Sequence, residues 1–176
     1  MKKFELTSEF VTFLGRKLFR IKALVAFGDV EEGELGGFVE KEENLDQSGD
    51  AWVCGNAQVC GNAWVYGDAW VYGNAQVCGN ARVCGDAQVC GDAQVCGDAQ
   101  VQCCRDYSAA SCFGSEDRTT TFFRTKDDGI GVRCGCFYGT LDEFREKVKE
   151  RHGDSRLAKE YLMLADLMEF RLSKDE

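Results

Sequence analysis

Proline is absent from the 176 residues, and histidine occurs once, at position 152. Proline removes a donor from any hydrogen-bonded ladder, so its absence suits a chain built of paired strands. One histidine excludes a three-histidine zinc centre within a subunit. It also leaves a single imidazole, His152 beside Gly153, to serve as a general base. Long apolar runs are missing: Leu18–Phe27 is broken by Arg20 and Lys22, so no segment reads as a membrane span. The opening MKKFELTSEFVTFLGRK lacks the apolar core of an export signal. Cation is scarce as well: 21 Lys and Arg against 30 Asp and Glu leave a net charge of -9, which argues against binding nucleic acid through its phosphates. The expectation is a cytoplasmic protein whose 11 cysteines are reduced.

What the chain has in abundance is one motif. From Ser48 to Gln102 it repeats Gly, Asn or Asp, Ala, any residue, Val, then Cys or Tyr, with the beat at Val53, Val59, Val65, Val71, Val77, Val83, Val89, Val95 and Val101. Self-similarity at so short a period signals a solenoid, and a period of six points to a parallel β-helix. Val points inward, Ala fills the space beside it, and Gly-Asn or Gly-Asp turns each corner. The pattern resembles the left-handed β-helix hexapeptide-repeat proteins, and the resemblance implies a triangular coil of eighteen residues, so that nine repeats make three full coils. Trp52, Trp70 and Gln88 then stack on one face; Gln58, Gln76 and Gln94 stack on the second, beside Cys60, Cys78 and Cys96. The third face carries Trp64, Arg82 and Gln100, with Tyr66 and Cys84.

Three regions follow. Residues 1–47 read as an N-terminal β cap with a hairpin around Gly15 and a degenerate first rung at Val39 and Leu45. Residues 48–102 are the mainly β solenoid. Residues 103–176 read as a ββαα cap over its open end. Its hairpin joins Thr119–Thr125 to Ile130–Cys136 through an Asp-Gly turn. Thr140 and Glu143 form a capping box that opens the first helix, and a second helix follows Gly153.

Enzymatic readings are weak. The hexapeptide-repeat resemblance brings acyltransferases to the fore, but those enzymes place a general-base histidine on a coil or its loop, and these coils have none. Cys103, Cys104, Cys112, Cys134 and Cys136 are concentrated in the C-terminal region, yet Cys-Cys and Cys-Gly-Cys are not the usual zinc spacings. Stacked Asp50, Asp68 and Asp86 are explained by the needs of a turn. The sequence therefore calls for no metal and no cofactor. Outward aromatics are more suggestive, because exposed Trp and Tyr are enriched in binding hot spots. Trp52, Trp64, Tyr66, Trp70 and Tyr72 are the candidate partner-binding residues. An acidic run with Glu31, Glu32, Glu34, Glu40, Glu42 and Glu43 is a second candidate surface.

The chain as a whole resembles a group of small phage and prophage proteins. The likeness lies in the lead-in LFRIKALVAFGDVEEGELGGFVEKEENL, the WVYGNA-type repeats, and the ending TTFFRTKDDGIGVRCGCFYGTLDEFREKVKERHG. It implies a non-catalytic binding protein acting in the host cytoplasm on a host protein or antiviral defence complex, with acidic DNA mimicry as one variant. A structural homo-oligomer with no foreign partner is the alternative. Neither reading involves direct contact with nucleic acid or a membrane.

Overall fold

In the computed structural model, which describes residues 2–173, the repeat forms a parallel β-solenoid of about 4 turns. Each hexapeptide contributes a two-residue strand, from β4 (Trp52–Val53) through β5 (Gln58–Val59), β6 (Trp64–Val65), β7 (Trp70–Val71), β8 (Gln76–Val77), β9 (Arg82–Val83), β10 (Gln88–Val89) and β11 (Gln94–Val95) to β12 (Gln100–Val101). These stack as three parallel sheets in which each residue pairs with the one eighteen further on: Val53 with Val71, Val59 with Val77, Val65 with Val83. All nine valines and their alanines are buried, so small residues fill the interior along the coils and larger ones, Leu45 and Phe123 among them, join the same core.

Corners are set by hydrogen bonds as well as by glycine. Gly79 lies at φ 72°, and a Cβ there would meet the Gly97 nitrogen at 2.8 Å, so both conformation and space demand glycine. The next residue forms side-chain ladders. Asn56 donates to Asn74 (3.3 Å) and Asn74 to Asp92 (3.1 Å). A second column runs from Asn62 to Asn80 (3.2 Å) to Asp98 (3.0 Å). Each column closes on an aspartate because its last member needs only to accept. Asn and Asp are thus not interchangeable at these corners, contrary to what a simple turn requirement suggests.

The first rung is irregular. In β3 (Leu35–Val39), Phe38 pairs with Gln58 and Val39 with Val59, and Leu45 bridges to Val65, an offset of twenty residues in each case. Leu45 and Val53 are eight apart where the repeat has six, and Ser48, Gly49 and Asp50 between them are exposed. A 3-10 turn at Glu42–Asn44 lets Asn44 Nδ2 donate to the carbonyls of Gly61 (3.1 Å) and Ala63 (2.8 Å). Lys3, 4% exposed, does the same for the neighbouring edge, its Nζ donating to the carbonyls of Ser48, Gly49 and Ala51 at 3.4, 3.2 and 2.8 Å. The antiparallel pair β1 (Phe4–Phe13) and β2 (Arg16–Ala23) extends this face through β3 into a six-stranded sheet.

At the other end the expected ββαα cap is instead a four-stranded antiparallel sheet followed by two helices. Its strands are β13 (Tyr107–Phe113), β14 (Arg118–Arg124), β15 (Ile130–Cys134) and β16 (Phe137–Thr140). Ile130–Cys136 is not one strand: Gly135 and Cys136 form a two-residue turn, with Gly135 at φ 58°, and β16 folds back on β15. Alternation along β14 turns Phe123 toward the solenoid core and Phe122 toward the helices. The helices α1 (Leu141–His152) and α2 (Arg156–Leu172) therefore cover the sheet, and the sheet covers the solenoid. Thr140 and Glu143 form the expected capping box. Edge amides of the last rungs find acceptors in the cap: Gln94 N–H in Thr121 Oγ1 (2.9 Å), and Gln102 and Cys103 N–H in Asp106 Oδ2 (2.9 and 3.1 Å). Among the described residues no helix is long and apolar enough to cross a membrane.

Candidate functional site

The five aromatic candidates do not share one environment. Trp52 is fully buried rather than outward: the N-terminal cap closes over it, with Phe27 edge-on at 5.3 Å and Phe4 at 6.4 Å. Gly36 makes the room, since a Cβ there would lie 2.7 Å from the Trp52 ring. Its indole N–H has no hydrogen-bond partner. Trp52 is a core residue and leaves the candidate surface.

Trp64, Tyr66, Trp70 and Tyr72 remain, and one turn of the solenoid presents all four on either side of the Gly67-Asp68 corner. Trp64, 37% exposed, stacks on Tyr66 with ring centroids 4.0 Å apart and planes 25° apart. Directly beneath Trp64 in register stands Arg82, which is exposed and whose charge favours the Tyr66 phenolate. The Tyr66 hydroxyl is nevertheless harder to ionise than usual, chiefly because of the neighbouring Cys84 thiol and then of burial. Trp70 and Tyr72 are half-buried, the latter with its hydroxyl 3.4 Å from Gln88 Oε1. Trp, Tyr and Arg are the side chains most enriched in hot spots, and here a rigid strand pair displays one of each. Arg82 was legible as the residue eighteen after Trp64, but its charge set it apart from an aromatic search.

The acidic run is divided. Glu40 is committed to structure: its carboxylate accepts from Arg16 at 2.8 and 2.9 Å and from the Gly61 N–H at 2.6 Å. These contacts, the Gly61 amide foremost, hold its acidity below the usual carboxylate range. Glu42 pairs with Lys2 at 2.7 Å. Glu31, Glu32, Glu34 and Glu43 are exposed, and Glu34 lies close enough to Cys54 to help raise that thiol's pKa, after burial.

A further surface escaped the sequence analysis. Met163, Leu167 and Phe170 are 72%, 56% and 84% exposed on the outer side of α2. Their spacing of four and three residues puts them on one stripe, opposite the buried Tyr161, Leu164, Ala165, Met168 and Leu172. Helical periodicity alone could have exposed this second stripe.

Other candidates sort out by position. His152 ends α1, stacks on Tyr161 at 5.7 Å, and lines a cavity of about 340 Å³ with Lys147, Arg151 and Cys136, in the cap rather than on the coils. Cys103 lies against Asp106 and Cys134 accepts from Thr120, so the C-terminal cysteines do not converge. Among the described residues no group of three His, Cys, Asp or Glu could hold a metal ion.

No curated protein matches the chain. The YdcK beta solenoid repeat matches at residues 57–73 and 75–91. The matches begin eighteen residues apart, one full turn as the strands pair, so what this chain shares with that family is the coil itself.

Proposed function

We propose that the protein is a non-catalytic binding module that engages another protein through the Trp64–Tyr66–Arg82 cluster. The observation that carries this reading is that cluster's construction: two stacked rings and a guanidinium, held on paired strands and open to solvent. A preorganised surface loses little conformational freedom on binding, which favours affinity from a small patch. The resemblance to phage and prophage proteins supports a host protein as the partner, in the host cytoplasm, with an antiviral defence complex as the leading class. DNA mimicry draws less support, because Glu40 and Glu42 are already paired within the chain.

The stripe on α2 favours a second reading, self-association through the C-terminal helices. An affinity pull-down from infected-cell lysate, run beside a measurement of solution mass, separates the two. Wild type is compared with Trp64→Ala/Arg82→Ala and with Leu167→Glu/Phe170→Glu. The first reading expects a captured complex that the cluster variant loses and the helix variant keeps. A defined oligomer that only the helix variant dissociates, with nothing captured by any form, replaces it with the second.

A further inference from the structure

On the face formed by β5, β8 and β11, the residue after each valine is cysteine: Cys60, Cys78 and Cys96. Pairing of Val59 with Val77 and Val77 with Val95 puts these thiols in a vertical column. Cys60 N–H donates to the Val77 carbonyl and Cys78 N–H to the Val95 carbonyl, each at 3.0 Å, which locks the register on both sides. Parallel strands lie about 4.8 Å apart. A disulfide needs Cα atoms about 4.4–6.8 Å apart, so adjacent members meet the distance requirement while Cys60 and Cys96, two rungs apart, do not.

The three thiols are not equivalent. Cys60 and Cys96 are buried, at 4% and 8% exposure, whereas Cys78 between them is half-buried. The thiols that flank Cys78 in the column, with Arg133 and Arg16, favour its anion and lower its pKa. The same contacts, with burial, push Cys60 and Cys96 the other way and keep them protonated. The central sulfur is the most exposed of the three and has a thiol on each side, so it is the nucleophile of the column. Nothing in the proposed binding role uses this face.

We propose that Cys78 is a site of reversible thiol oxidation, forming a rung-to-rung disulfide with Cys60 or Cys96 on reaction with a small disulfide such as oxidised glutathione. Cys78 thiolate attacks one glutathione sulfur, the S–S bond breaks, and one glutathione thiolate leaves. The neighbouring thiol then attacks Cys78 sulfur, and its proton and the electron pair of the broken bond depart with the second glutathione. Two protein thiols are oxidised and one glutathione disulfide is reduced to two thiols.

The test is disulfide mapping of the native full chain after exposure to oxidised glutathione, with free thiols blocked before digestion and mass spectrometry. The expected result is one disulfide per chain on this face, always containing Cys78, with no Cys60–Cys96 link. In Cys60→Ser/Cys96→Ser, where nothing remains to resolve the intermediate, Cys78 should be held as a mixed disulfide with glutathione. Recovery of Cys78 unmodified in the folded wild type, while exposed Cys104, Cys112 and Cys136 carry glutathione, overturns the proposal. So does a Cys78 that stays free in the double variant.

Discussion

Phe122 and Phe123 are neighbours in the chain, both fully buried, and they belong to different cores. Phe123 fills the end of the solenoid, while Phe122 packs edge-on against Phe144 of α1 at 5.9 Å. One strand therefore joins two hydrophobic clusters that otherwise meet along the thickness of a sheet. Phe123→Ala and Phe122→Ala should each cost about 3–5 kcal/mol. They should differ in where the loss falls: hydrogen exchange should quicken at the last rungs in Phe123→Ala and at α1 and α2 in Phe122→Ala. Identical exchange patterns would show that the two clusters unfold as one.

Trp52→Ala and Trp64→Ala change the same letter of the repeat and should behave oppositely. Emptying the Trp52 site beneath the cap should destabilise the fold by about 3–5 kcal/mol. Trp64 stands at the surface, and its replacement should move the melting temperature little while removing partner binding. Denaturant titration of both variants checks the contrast.

Lys3→Met keeps the length of the aliphatic stem and removes the ammonium that satisfies three backbone carbonyls at the first rung. Leaving such edge groups without a donor should cost about 1–3 kcal/mol. The ammonium also lies over the Phe27 ring at 4.7 Å, so the loss should be read as that of the whole junction between cap and coil. Chemical denaturation is the measurement, and a wild-type midpoint would refute the capping role.

The acidity of Glu40 sets a pH dependence. Its folded pKa lies below the ordinary 4.5 because the Gly61 amide and then Arg16 favour the carboxylate. A depressed carboxyl contributes stability that is fully present above its unfolded pKa and is lost as pH falls through the folded value. The gap in melting temperature between wild type and Glu40→Gln should thus be widest near neutrality and close as pH drops below 4.5. A gap unchanged between neutral and acid pH would remove the ionised carboxylate from the account.

The solenoid could be read from the sequence because every valine of the repeat meets the same environment, so a period in letters became a period in space. The Asp-Gly turn after Arg124 and the Thr140–Glu143 cap were legible for a similar reason: each is decided within a few residues. Tyr107–Phe113 was not, since Ser, Ala and Cys give a half-exposed strand no alternation to detect. Nor could the repeat tell Trp52 from Trp70, because which turn lies under the cap depends on where residues 2–30 fold back, a long-range matter. The acidic run failed as a unit on the same ground. Glu40 finds Gly61 twenty-one residues away, a partner that no local pattern announces.

Each turn of the coil is a template for the next, and that makes the two caps more than lids. A solenoid cut at both ends would present, on its last turn, the backbone pattern that its first turn is built to receive. Such unlike, mutually complementary ends do not close into a ring; they add head to tail without limit. Asn44 and Lys3 at one end, and Thr121 and Asp106 at the other, occupy the groups through which that growth would proceed. Residues 48–102 alone would have the two complementary ends of a fibre subunit, and the flanking regions occupy both.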